Sequence, residues 1–336
     1  MKESNSIRIL NLGKIEWYKT QTIYHALAEL MNFDSSDTII ICKPDSKYLC
    51  TGYHQDYKKI FDVEYCKNNN LPIVHRKIGG GATYLDENQF FYQFVFKQSS
   101  LPKSFADIFS YLLEIPKMTL NKLGIECTLN STNELEVDNK RIAGTGGGFI
   151  NDSCVVVGNY LFDFDFETMA NAWNLPINES CILAKRALTE NIITLSQLDS
   201  SISSKTIEDK FIESVKEKLK CDVYFDNLTD NEIAFADRMK DKLVIDELNI
   251  EKEMSSFIEK PLKISANSYI VFETFMIKDR AVQFAFYTNK GIIVDVQTET
   301  EIPSLNKLKK IMLGSNINDI KSAMNYFKLK FRSALV

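Results

Sequence analysis

Along residues 20–31, TQTIYHALAELM, apolar positions recur at the three- and four-residue spacing of an amphipathic helix. The period then shortens. DTIIICKP (37–44) and KYLCTGYH (47–54) are apolar runs around a polar turn, which predicts two short buried strands. YKKIFDVEYCKNN (57–69) reads as helix, and LPIVHRK (71–77) as a strand entering a run of glycines. ATYLDENQFFYQFVFK (82–97) predicts a turn at Asp86–Asn88 followed by a long aromatic strand. Residues 104–123 form an amphipathic helix, with Ser104 as cap and Gly124 just past its end.

The alternation resumes in NELEVDNKRIAGTGGG (133–148) and CVVVGNYLFDFDF (154–166), a second strand pair. TIEDKFIESVKEKLK (206–220) is a surface helix, and the polar stretch 228–258 is helical and connecting. A new pattern starts at residue 268, with three strands and turns at Lys278–Asp279 and Asn289–Gly291. Helices near 304–313 and 317–328 follow. The domain boundary falls at about 250, giving a large domain over 1–250 and a small α+β domain over 251–336. No internal repeat stands out.

Composition narrows the classes. The chain has 336 residues, 45% hydrophobic and 25% charged, with 22 Phe and 14 Tyr, enough for a sizeable core and against disorder. A net charge of −5 argues against a dedicated nucleic-acid binder. Seven dispersed cysteines and three histidines make a zinc site improbable and read as reduced thiols in a cytoplasmic protein. No metal site is expected. The N-terminus lacks the apolar core of a signal peptide, and no stretch has the length of a membrane span.

The chemistry concentrates in two glycine runs. HRKIGGGATY (75–84) and KRIAGTGGGF (140–149) each place two cations and an apolar residue ahead of glycines. Glycine-rich turns let backbone N–H groups approach an anion, and flanking Arg or Lys add charge. Neither run fits the Walker pattern or the dinucleotide fingerprint. Bulges or hairpin corners are the plain alternative for either run by itself. Asp86, Asn133 and Glu134 lie close by and read as turn residues or ligand contacts.

Taken in order, these segments resemble the lipoate–protein ligase family of the lipoyl/biotin ligase superfamily. HRKIGGGATYLD matches the family's basic–glycine motif at Arg76, Gly79, Gly80, Gly81, Ala82, Tyr84 and Asp86, and departs from it at His75, Ile78 and Leu85. TGYHQDY is similar to its Gly-x-x-Gln segment at Gly52 and Gln55. NELEVDNKRIAGTG resembles its Asn-Asp strand and lysine stretch, ENIITL its later Asn-Leu segment, and the tail from about 260 its accessory domain. The resemblance implies an α/β fold, a mixed sheet flanked by helices, probed by an apolar acyl tunnel and a nucleotide laid against the glycine loop. It implies that lipoate or octanoate and ATP, with Mg2+, give an acyl-adenylate that a lysine of an acceptor lipoyl domain then attacks. A monomer with no nucleic-acid or membrane partner is expected. Arg76, Gly79–Ala82, Thr83, Tyr84, Asp86, Asn133, Glu134, Gly144 and Thr145 would form the ATP and lipoyl-AMP site.

One position departs in a way that matters. The family lysine stands three residues before its glycine, and counting back from Gly144 reaches Arg141, not Lys140. Strict strand alternation would then send Arg141 into the pocket and Lys140 to the opposite face, unless a bulge brings Lys140 in. Arginine neutralises phosphate but does not deprotonate. Two other functions stay open: an octanoyl or lipoyl acyltransferase using Cys127 as nucleophile, and a protein that binds lipoate or its adenylate without turnover. Biotin ligation ranks lower, because its glycine and arginine signature differs. Hinge motion of the accessory domain at 228–258 is a further expectation.

Overall fold

The computed structural model describes residues 6–130, 134–177, 179–245, 261–277, 280–299 and 303–327. Strand β1 (Ile7–Ile15) leads through helix α1 (Lys19–Leu30) to β2 (Thr38–Pro44) and β3 (Tyr48–Thr51). Two short helices, α2 (Tyr57–Ile60) and α3 (Val63–Asn68), precede β4 (Ile73–His75), β5 (Thr83–Leu85) and β6 (Gln89–Lys97). After α4 (Phe105–Lys122) come β7 (Thr128–Leu129), β8 (Leu135–Val137), β9 (Lys140–Ile150) and β10 (Ser153–Leu161). Helices α5 (Phe166–Ala172), α6 (Ser180–Asn191), α7 (Leu195–Leu198) and α8 (Ser204–Leu219) follow, then β11 (Val223–Phe225) and α9 (Asp230–Leu243). The chain closes with β12 (Leu262–Lys263), β13 (Ser268–Ile277), β14 (Arg280–Asn289), β15 (Ile292–Thr298), α10 (Pro303–Met312) and α11 (Ile317–Phe327).

The trace forms two compact units. The first, 1–57, 66–165 and 192–249, carries a mixed eight-stranded sheet in the order β11-β1-β2-β6-β10-β9-β8-β7 and a small sheet β4-β3-β5. β11, β1 and β2 run parallel, and every pairing from β2 across to β7 is antiparallel. Strand β6 shows why the sheet is central. Phe90, Tyr92, Phe94 and Phe96 pack with α4 and α8 on one face, while Phe91 and Val95 pack with α1 and α9 on the other. Period-2 alternation normally puts one face in water, but here both faces meet apolar helix stripes, so the run is buried on both sides, with Gln93 donating to the Thr20 carbonyl at 2.7 Å.

The second unit, 58–65, 166–191 and 250–336, holds the antiparallel sheet β12-β13-β14-β15 with its own core of Phe275, Phe284, Phe286, Val296, Leu305 and Met312. Asn191 at the end of α6 is its polar hub: its side chain accepts from Ser265 and Ser268 and donates to Tyr287 Oη at 2.7 Å.

Several boundaries follow from local chemistry. Ser104 Oγ accepts the Asp107 N–H at 3.1 Å, capping α4, and Gly124 takes the left-handed conformation (φ +79°) beyond it. The β14–β15 turn uses Lys290 and Gly291 at φ +50° and +77°. Residues 57–69 are not one helix, contrary to their spacing. Phe61 is fully buried in an isolated bridge with Trp173, and Asp62 restarts the chain by accepting the Tyr65 N–H. Helices α5 and α6 and strands β1, β11 and β12 were not foreseen from the pattern. Helix α9 takes up part of the connecting stretch; its remainder, the boundary near 250 and the Lys278–Asp279 turn lie outside the described residues.

Candidate active site

The two glycine runs, far apart in sequence, meet. Gly79 N–H donates to the Gly147 carbonyl at 2.9 Å, an isolated bridge that ties the first run to strand β9. The clasp is close enough to need glycine. A Cβ on Gly146 would lie 2.9 Å from the Gly79 oxygen, and one on Gly147 would lie 2.7 Å from the Val155 oxygen and 2.8 Å from the Phe109 ring. Gly52 has the same role below, where the Gly80 carbonyl already occupies the place of a Cβ.

Arg76 lies beneath this loop. It is 5% exposed. Its guanidinium donates to the Gly81 carbonyl at 2.8 Å, to the Gly79 carbonyl at 3.4 Å, and to Cys50 Sγ at 3.3 Å. Among the described residues no peptide bond is cis. In a trans peptide the C=O and the following N–H point in opposite directions. Two carbonyls drawn down to Arg76 therefore send the N–H groups of Gly80 and Ala82 the other way. Gly80 and Gly81 are exposed, and among the described residues the N–H groups of Gly80, Gly81 and Ala82 have no partner in the chain. Outward backbone amides over a buried cation are the arrangement that suits an anion.

Downstream, Thr83 is half-buried at the start of β5, and Tyr84 is buried with its ring edge-on to Phe164. Asp86 is buried and accepts the Asn88 N–H at 2.9 Å; burial pushes its carboxyl up to about 6. Both face a cleft of about 550 Å³ that Asp45, Glu87, Asp163 and Asp165 also line, with Lys47. This cleft repels phosphate. Among the described residues no three acidic, His or Cys side chains converge as metal ligands, so Mg2+ finds no cage of the chain's own there.

The cation pair begins strand β9. A two-residue turn, Asp138–Asn139, with φ +52° and +61°, joins β8 to β9. Glu136 pairs with Arg141, but Leu135 pairs with Ala143, so β9 carries one extra residue. The extra residue is Ile142, and Ile142 and Ala143 are both fully buried. Lys140 and Arg141, both half-buried, come before it and pair regularly with Val137 and Glu136, so these neighbours point to opposite faces of the strand. Among the described residues neither side chain makes a hydrogen bond or ion pair. Burial lowers the Arg141 pKa, opposed by Glu134 and Glu136, and the group stays charged. The Arg141 carbonyl accepts the Ile193 N–H at 3.0 Å, which brings the ENIITL segment alongside.

Glu134 is buried, with its N–H on Asn130 Oδ1 at 3.0 Å; Asn133 lies outside the described residues. Gly144 N–H donates to Asn159 Oδ1 at 3.1 Å, and Asn159 in turn meets Gln89. Thr145 is half-buried beside it. Four residues, or five strand steps of roughly 17 Å in all, separate Arg141 from Gly146. The site is thus elongated: backbone amides at one end, unpaired cations at the other.

Three residues that the sequence did not single out complete it. His25 accepts the Lys77 N–H at 3.0 Å, Gln21 bonds Tyr48 Oη at 2.8 Å, and Cys50 touches Arg76. A histidine on the apolar side of the 20–31 helix was the available signal.

A family model described as the lipoyl protein ligase A/B catalytic domain matches residues 18–219. The chain belongs to that family. Among lipoyl protein ligase relatives, the probable lipoate-protein ligase A of Mycoplasma pneumoniae is 20% identical over 212 residues, 62% of this chain and 58% of that protein. The match spans about half the length of the first curated relatives, 46% in the Mycoplasma genitalium protein. A structure from Thermoplasma acidophilum described as a bi-partite lipoate protein ligase and its E2 lipoyl domain superposes with a TM-score of 0.65 at 18% identity, covering 77% of this chain and 99% of that one. A lipoate-protein ligase A bound with ATP gives 0.61 at 18% identity, covering 70% and 95%. These likenesses establish the lipoyl-ligase fold over most of the chain.

Proposed function

We propose that this chain is an ATP-dependent lipoate–protein ligase. The observation that carries the reading is the glycine clasp, in which Arg76 turns the Gly80 and Ala82 N–H groups outward as a ready phosphate cradle. The ATP and lipoate named for similar solved structures fit such a site. A carboxylate oxygen of lipoate would attack the α-phosphorus as the bond to the β-phosphate breaks and pyrophosphate leaves. An unprotonated lysine of an acceptor lipoyl domain would then attack the acyl carbon, releasing AMP and forming the amide. The amide cradle offsets phosphate charge at one end, and Arg141 offsets charge where carboxylate and phosphate meet. Mg2+ would enter with the nucleotide.

Cys127 speaks against the thioester route. It is 2% exposed, and burial pushes its thiol up to about 12, so about one molecule in 10⁵ carries a thiolate at neutral pH. Its Sγ faces the Thr128 carbonyl at 3.8 Å and no imidazole. The deciding experiment is pyrophosphate release with lipoate, octanoate and biotin compared. Release with lipoate or octanoate and not with biotin is expected. Binding of lipoyl-adenylate with no release would make the chain a carrier, and ATP-independent transfer lost in Cys127→Ser would make it a transferase.

A further inference from the structure

The glycine loop is held from outside by helix α1. His25 on that helix is fully buried and stacks on Tyr24 with ring centroids 4.2 Å apart. Its Nδ1 lies 2.7 Å from the Gln21 carbonyl, which can only accept, so Nδ1 carries the hydrogen. Nε2 is then a bare acceptor, and the Lys77 N–H donates to it at 3.0 Å. One turn further along, Glu29 takes the Lys77 ammonium at 2.9 Å and the Asn151 amide at 3.1 Å, on the turn between β9 and β10. Lys77 is thus gripped by backbone and side chain from a single helix face, at residues i and i+4. The next residue, Ile78, packs on Gly148, and the three after it are the glycines of the clasp.

Below the same residue the ladder continues. Gln21 bonds Tyr24 and Tyr48, and Thr20 bonds Tyr48 at 2.6 Å. Burial, with Lys77 and Arg76 near, drops His25 to about 3, so the acceptor is present throughout the neutral range. The groups that face it are the cations Lys77 and Arg76 and the carboxylate Glu29.

We propose that His25 is a positioning residue for the nucleotide: by holding the Lys77 N–H it sets the direction in which the Gly79–Ala82 backbone leaves, and so where the outward amides point. The role rests on the loop being the nucleotide site. It places His25 behind the loop, in contact with neither ATP nor acyl chain.

The test compares His25→Leu, which fills the space without an acceptor, with His25→Gln, whose amide oxygen can stand where Nε2 stood. Loss of one buried hydrogen bond predicts that His25→Leu raises KM for ATP by about tenfold while KM for lipoate stays within about twofold. His25→Gln should recover most of it. Amide hydrogen exchange on the nucleotide-free full chain is read in parallel. The hydrogen-bonded amides of Lys77 and Gly79 should exchange about tenfold faster in His25→Leu and near the normal rate in His25→Gln. Equal shifts in both KM values, or unchanged exchange at Gly79, would overturn the proposal. A wild-type chain with no lipoate-dependent pyrophosphate release would instead overturn the nucleotide reading, and the exchange data would still show whether His25 holds the loop.

Discussion

At the scale of single residues, charge placement separates two arginines that look alike in sequence. Arg76 is spent inside the fold, its donors taken by Gly79, Gly81 and Cys50. Arg141 is half-buried and without a hydrogen-bond partner among the described residues, so its charge is available to a ligand. Arg141→Ala should therefore abolish acyl-adenylate formation, measured by lipoate-dependent ATP–pyrophosphate exchange, while Lys140→Ala keeps most of it. The bulge lies beyond both side chains, at Ile142, so as strand neighbours they face opposite sides. Loss confined to Lys140→Ala would mean that Lys140, not Arg141, faces the reacting oxygens.

At the scale of elements, the decisive contact is glycine against glycine. Replacing Gly147 by Ala would gain about 0.4–1 kcal/mol from a stiffer unfolded chain. The new methyl would meet the Val155 carbonyl at 2.7 Å and Phe109 at 2.8 Å, an overpacking that costs about 1–3 kcal/mol. Clash wins. Gly147→Ala should lower the melting temperature by several degrees and weaken ATP binding measured by calorimetry, because the Gly79 bridge must move. Both runs could be picked out as glycine-rich, cation-led segments from their residue types. Their meeting was not, because no periodicity links residue 79 to residue 147. Helix α4 could be read almost to the residue because Ser104 and Gly124 mark its ends chemically. The bulge at Arg141–Ala143 could not, since it leaves alternation intact on either side and only resets its phase. Helix α5 escaped because its seven residues give barely two turns of apolar spacing.

At the scale of the whole molecule, two buried groups oppose each other in acid. His25 falls from 6.5 to about 3 on folding, so the unfolded chain binds its proton first, and this contribution to stability, present above 6.5, is lost as pH drops toward 3. Asp86 rises from 3.8 to about 6, so the folded chain holds its proton longer, and stability is lost as pH climbs from 3.8 through 6. Between about 4 and 6 the slopes offset. Each group contributes at most about 1.4 kcal/mol per pH unit. His25→Gln removes one arm of this balance. Measured by urea denaturation at pH 4.5, 5.5 and 7, its stability relative to wild type should improve steadily as the solution is acidified. A constant gap across those pH values would show that His25 titrates alike folded and unfolded.

Because the guanidinium beneath the proposed phosphate cradle is sealed under its own loop, dissolved ions do not reach it. What meets the ligand there is a set of oriented peptide dipoles, which counter-ions crowd far less than they crowd a naked side-chain charge. Such a cradle keeps its grip in brine, where a cluster of surface lysines would let go.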